Sequence, residues 1–212
     1  PDLKIDENKT WAEVSYVHEL PVVPKTEVNV IYKVENTGEI KVTLKYNGKE
    51  GLPELPLFGM RFKFNKEYDK FKYFGRGAEE NYIDRNIGAR LDVYEKNVKD
   101  NLTPYLTPQE CGGRTDVRWA EIKSSENEGI KFKRDRENFE LSVLPYSFLE
   151  LEQAGHQFEL PEQNYTYATI IMKQMGVGGD DSWGAPVLEE FCIPSNVDYE
   201  YSFYITKAGG EE

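Results

Sequence analysis

Val28-Asn29-Val30-Ile31-Tyr32-Lys33-Val34, then Glu35-Asn36-Thr37-Gly38-Glu39, then Ile40-Lys41-Val42-Thr43-Leu44-Lys45-Tyr46 is the stretch that decides the fold class. Branched and aromatic residues dominate both flanks, and a short polar link containing glycine joins them, which predicts an antiparallel hairpin. The same period of two returns at 12–19, 60–64, 117–122, 165–172 and 199–206. Residues 130–133 and 139–144 flank the polar run Arg134 to Asn138, so a second hairpin is expected there. Strands at this spacing, many with one polar face, predict an all-β chain of antiparallel sheets packed as a sandwich. One short helix is expected near 147–155, where Ser147 and Glu150 form a capping box and Gly155 supplies a stop. Prolines 53 and 56 place 48–57 in a loop, and Pro104, Pro108 and the Gly112-Gly113 pair do the same for 101–113.

At 212 residues the chain is long enough to bury a sizeable core and is expected to form a single domain over 1–212. Its net charge of −12 and pI near 4.8 argue against nucleic acid and against anionic lipid, both of which need a basic face. No apolar run approaches the roughly 20 residues that span a bilayer. The two cysteines, Cys111 and Cys192, make no disulfide framework and no zinc pattern. The chain opens at Pro1 without methionine, which marks it as processed or as cut from something longer.

Three segments carry the densest chemistry. Met175-Gly176-Val177-Gly178-Gly179-Asp180-Asp181-Ser182-Trp183-Gly184 holds four glycines, adjacent carboxylates and a tryptophan. Glycine takes positive φ freely, so this is a shaped loop. Its tryptophan is either a flat platform for the C–H face of a sugar or a plug folded back onto the sandwich end. Residues 73–85 mix acids, arginines, amides and aromatics, as expected of ion pairs that pin a long loop or of side chains that line a polar pocket. Residues 108–119 run from a charged loop into a strand on which Arg114, Asp116 and Arg118 should share one face and Val117 and Trp119 the other, a charge ladder bracing two loops. Asp180 and Asp181 lack the spaced oxygens of a calcium loop and are expected to cap turns. His156 has no nucleophile motif beside it, and neither a phosphate loop nor a dinucleotide fingerprint occurs.

These segments resemble one known family. Gly75-Arg76-Gly77-Ala78-Glu79-Glu80-Asn81-Tyr82-Ile83-Asp84-Arg85 is similar to the GRGPxENYxDR signature in the C-terminal domain of large β-galactosidases of glycoside hydrolase family 2, a domain that also occurs as the small subunit of two-chain enzymes. Pro108-Gln109-Glu110 with Arg114-Thr115-Asp116-Val117-Arg118-Trp119 resembles PQE…RTDVRW, and Leu55-Pro56-Leu57-Phe58-Gly59-Met60 resembles LPRxGM, with Leu57 where arginine is usual. Tyr146-Ser147 through His156 resembles YS…LExAxH, and 176–184 resembles GxGGDDSWG. Ala78 stands where the family has proline, and the family's earlier RAPxDND-like motif is absent, so the chain looks like the C-terminal portion of that domain.

The resemblance implies an antiparallel β-supersandwich similar to galactose mutarotases, its first strands missing from this stretch, with an open sheet edge or face that invites a homo-oligomer. It implies a retaining glycosidase acting on terminal β-D-galactosides, with two catalytic carboxylates roughly 5–5.5 Å apart on a TIM barrel in another domain and none in this fragment. The Mg2+ and Na+ common in such enzymes are likewise expected in other domains, with no cofactor or metal here. The expected partners are the TIM barrel and the galactoside, and the one substrate-binding residue carried over is Trp183, which stacks on the sugar in the family. Two alternatives remain at this point. One is an aldose 1-epimerase with His156 and Glu110 as acid and base, and the other is a stand-alone carbohydrate-binding module.

Overall fold

The computed structural model describes residues 1–126, 128–181 and 183–209. In chain order its strands are β1 (Asp2–Ile5), β2 (Trp11–Leu20), β3 (Thr26–Glu35), β4 (Ile40–Tyr46), β5 (Leu57–Asn65), β6 (Lys70–Gly77) and β7 (Arg90–Asn97). There follow β8 (Gly113–Val117), β9 (Trp119–Lys123), β10 (Gly129–Arg134), β11 (Phe139–Leu144), helix α1 (Phe148–Gln153), β12 (Tyr165–Gln174) and β13 (Tyr199–Lys207). The fold is therefore nearly all β, and every strand pair is antiparallel.

The expected hairpin is β3–β4. Glu35 N–H donates to the Glu39 carbonyl at 2.9 Å, and Gly38 closes the turn at φ +87°, a conformation that other residues reach only with strain. The strands form a nine-stranded sheet ordered β1-β2-β3-β4-β13-β10-β9-β6-β7 and a four-stranded sheet ordered β5-β12-β11-β8. β13 is the joint of the larger sheet, pairing with β4 on one side and β10 on the other.

Alternation along the strands places one core between the sheets. Val42, Leu44, Phe132 and Phe203 from the larger sheet meet Phe139, Leu141, Val143 and Ile170 from the smaller. Phe62 of β5 spans the gap, 4.9 Å from the Phe132 ring and edge-on to Phe203 at 6.0 Å. Each such fully buried side chain contributes roughly 1.5–3 kcal/mol through removal from water. A second cluster of Cys111, Leu144 and Leu151, with Tyr105 and Phe148 against it, covers the outer side of the smaller sheet. That third layer explains why β11 is buried at every position. Helix α1 begins as expected: Ser147 Oγ accepts from Glu150 N–H at 3.2 Å, and Glu150 Oε2 accepts from Ser147 N–H at 2.7 Å.

Two expectations fail for one reason. Residues 130–133 and 139–144 do not pair: β10 belongs to the larger sheet and β11 to the smaller. The polar run between them is a corner, in which Arg134 Nη1 donates to Asn138 Oδ1 at 2.6 Å. Likewise 117–122 is not one strand, because β8 lies in the smaller sheet and β9 in the larger. At that corner Asp116 has φ +62°, which breaks the alternation and turns the chain between layers. The charged residues therefore share no face. Arg114 points into the core and is only 1% exposed, while Asp116 faces Arg76 Nε at 3.3 Å and Arg118 lies over the Phe74 ring at 5.0 Å.

Candidate functional site

The loop after β12 is held at its start by backbone carbonyls and Asp84, and near its tip by Asp181. Met175 N–H donates to the Pro56 carbonyl and Gly176 N–H to that of Phe191, which docks the start of the loop on the sandwich. Val177 and Gly178 N–H groups then donate to one oxygen, Asp84 Oδ2, at 2.7 and 2.8 Å. Near the tip, Asp181 Oδ1 accepts from Trp183 N–H at 2.7 Å and from Ala185 N–H at 3.4 Å, the Asx-type turn expected of this residue. A Cβ at Gly179 would stand 2.4 Å from the Ala185 carbonyl oxygen, so only glycine lets the two limbs of the loop run this close. Ser182 lies outside the described residues.

Trp183 is 91% exposed. The plug reading fails on that observation: the indole lies away from the sandwich end, and its amphipathic face is open to solvent. Val177 and Leu188 on the same loop are also exposed.

Asp84 belongs to the segment 78–89 between β6 and β7, the later half of the charged stretch expected to be a pinned loop. The first half, by contrast, is strand β6. The pin is Glu80, whose side chain is 12% exposed. It accepts from Thr103 Oγ1 at 2.9 Å, Gly112 N–H at 2.9 Å, Arg85 Nη2 at 3.0 Å, Tyr82 OH at 3.3 Å, and the Tyr105 hydroxyl. Burial opposes its ionisation, but the Tyr105, Gly112 and Thr103 donors and the Arg85 charge outweigh it and hold the carboxyl below the usual range. Asn81 ties the same segment to β8 by accepting from Thr115 N–H at 3.0 Å and Thr115 Oγ1 at 2.6 Å. A shallow cavity of about 610 Å³ opens along this segment, lined by Glu79, Asp84, Arg85 and Ile87 among others.

Behind Asp84 stands Glu140 of β11, 8% exposed. Burial pushes its carboxyl up to about 8, the neighbouring Asp84 charge adds to the rise, and Gln174 and Lys173 partly offset it. Asp84 Oδ1 is buried with no hydrogen-bond partner. Sequence reasoning missed both roles, since neither residue type nor spacing links Glu140 or Asp84 to a loop over ninety positions away from Asp84.

The epimerase nominees have separate surroundings. His156 is exposed, stacked on Phe158 at 5.2 Å and 3.3 Å from Glu159 Oε1. Glu110 instead accepts from Gln174 Nε2 at 2.8 Å, and burial raises its pKa against the help of Gln174 and Arg61. Cys111 and Cys192 are both buried and free. Among the described residues no group of three or more His, Cys, Asp or Glu side chains is placed to hold a metal ion.

Against known proteins, residues 2–205 match the family model described as beta galactosidase small chain. The β-galactosidase of Streptococcus thermophilus is 42% identical over 204 residues, covering 96% of this chain and 20% of that protein. That of Halalkalibacterium halodurans is 39% identical, covering 97% of this chain and 21% of the other. The β-galactosidase small subunit of Latilactobacillus sakei is 36% identical over 203 residues, covering 91% of this chain and 63% of the subunit. The chain thus spans about a fifth of the length of the first two relatives. A galactose mutarotase related enzyme from Lactobacillus acidophilus superposes over 99% of this chain and 72% of its own, with 14% identity and a TM-score of 0.43, too distant to bear on function.

Proposed function

The chain belongs to the β-galactosidase small-chain family, and from that premise we propose that it is a non-catalytic part of a β-galactosidase which completes the mouth of the active site. The two carboxylates of a retaining glycosidase, roughly 5–5.5 Å apart, are carried in this reading by a TIM barrel elsewhere in the enzyme. The work of this chain is to bind and orient the galactoside. Trp183 offers a flat apolar face to the C–H side of the sugar, and a loop tied down by Asp84 has less freedom to lose on binding.

The observation that carries this reading is the 91% exposure of Trp183 on a loop clamped by Asp84 and Asp181. A tryptophan exposed to this degree, on a loop whose backbone is anchored, is placed for a contact outside the chain. Among the described residues no contact brings His156 and Glu110 together, so nothing there favours the epimerase. A one-sided aromatic contact without a facing wall binds sugar weakly, which disfavours the stand-alone module.

The test is kinetic. In the enzyme assembled with its catalytic part, Trp183→Ala should raise KM for a nitrophenyl galactoside about tenfold, the effect of losing roughly 1.4 kcal/mol of binding, and leave folding unchanged. The chain on its own should not hydrolyse that substrate. Normal kinetics in the variant, or turnover by the chain alone, refutes the proposal.

A further inference from the structure

We propose that Asp84 is a positioning residue for the substrate contact, setting where Trp183 stands by gripping the limb of the loop that leads to it. The inference rests on the reading of Trp183 as the sugar-facing side chain. Asp84 projects from the segment between β6 and β7, yet among the described residues its only hydrogen bonds go to Val177 and Gly178, at 2.7 and 2.8 Å. Both N–H groups converge on the same oxygen, a charge-assisted arrangement stronger than neutral pairing.

The loop is built to receive it. A Cβ at Gly176 would stand 2.7 Å from Asp84 Oδ2 and 2.9 Å from Phe191 Cβ, so glycine there is what admits the carboxylate. The other oxygen, Asp84 Oδ1, is buried and makes no hydrogen bond among the described residues. Among the described residues the grip therefore runs through Oδ2 alone. Asp181 then fixes the tip from within, through Trp183 N–H. The tryptophan is thereby indexed to a segment that Glu80 and Asn81 tie to the rest of the fold. Met175 and Gly176 stay docked through Pro56 and Phe191, but among the described residues no other hydrogen bond holds Val177 and Gly178, so releasing the outer grip should loosen the limb that leads to the indole while the sheets stay as they are.

The experiment uses the assembled enzyme with Asp84→Ala, Asp84→Asn, Trp183→Ala and the double variant Asp84→Ala/Trp183→Ala. Amide hydrogen exchange over 175–185 reads the grip, and hydrolysis of nitrophenyl galactoside reads its consequence. Asp84→Ala should speed exchange in that segment, with the β11 and β12 amides unchanged, and raise KM three- to tenfold with a smaller change in kcat. Asp84→Asn keeps one acceptor oxygen and should recover most of both. The Asp84 effect on KM should vanish in the Trp183→Ala background, the signature of two residues acting as one. Unchanged exchange in Asp84→Ala overturns the grip whatever the kinetics. If Trp183→Ala raises KM but Asp84→Ala does not, or if the two effects simply add, the positioning role is overturned. Normal kinetics in Trp183→Ala falls instead on the proposed function, and exchange alone then decides whether Asp84 holds the loop.

Discussion

Replacing Glu140 with glutamine should remove a large part of the pH dependence of stability between weakly acidic and weakly alkaline solution. Glu140 is 8% exposed on β11, and burial raises its pKa from 4.5 to about 8, with Asp84 adding to the shift and Gln174 and Lys173 opposing it. The folded chain therefore keeps a proton that the unfolded chain releases above pH 4.5. Where the folded state binds more protons than the unfolded, stability falls as pH rises. The stability is fully present below the unfolded value, declines across the window, and levels off once pH passes the folded value. Each pH unit in the window removes about 1.4 kcal/mol, so the full fall is on the order of 4–5 kcal/mol. Glutamine matches glutamic acid in shape and cannot ionise, so the Glu140→Gln chain has no such decline. Urea unfolding at pH 5, 6.5 and 8.5, fitted by linear extrapolation, measures both proteins. The variant's advantage over the parent should grow by several kcal/mol from pH 5 to pH 8.5. An advantage that stays constant across that range means the Glu140 carboxyl ionises normally and refutes the reasoning.

Two further substitutions probe the frame around the site. Glu80→Ala leaves Thr103, Tyr105 and the Gly112 N–H without their shared acceptor, and should destabilise the chain by about 3 kcal/mol or more, read as a lower Tm. Gly59→Ala places a Cβ 2.5 Å from the Ile170 carbonyl oxygen and 2.7 Å from Ile171 Cα on the paired strand β12. It should cost roughly 1–3 kcal/mol in the same urea titration, and an unperturbed midpoint contradicts the close approach of β5 and β12.

Local signals carried the parts of the fold that are local. The β3–β4 hairpin was legible because its register, its branched side chains and Gly38 all agree, and the start of α1 because Ser147 and Glu150 are three residues apart. Strands β1 and β7 escaped because edge strands bury little: Arg90 to Asn97 is mostly exposed and mostly polar, and its apolar alternation is only Leu91 and Val93, too short to mark a strand. The wrong second hairpin came from treating neighbours in sequence as partners, when the positive φ of Asp116 and the corner at Arg134 to Asn138 move the chain between sheets. At the site, the glycine density around Trp183 announced a shaped loop. Its anchor was invisible because Asp84 acts across 93 positions, and no spacing rule reaches that far. Arg114 was read as one rung of a charge ladder, yet its partners are the Tyr73 hydroxyl, Asn101 Oδ1 and the Gly113 carbonyl, all neutral.

The position of β13 has a consequence for the order in which the molecule assembles. Strands β1 to β4 form a meander that can pair as soon as it is synthesised, and β6, β7, β9 and β10 can form a second block before β13 exists, with β8 and its loop between β7 and β9. In the finished sheet these two blocks never touch through paired strands except by way of Tyr199–Lys207, which bonds to β4 on one side and β10 on the other. The larger sheet is thus two rafts waiting for a late keystone, and pairing residues 40–46 with 199–205 closes a long stretch of chain in one step. Such non-local pairing is slow, and until it happens the facing edges of β4 and β10 are unpaired strands of the kind that recruit other chains. A nascent chain interrupted before residue 199 has all the hydrophobic residues of the two rafts and no means of joining them.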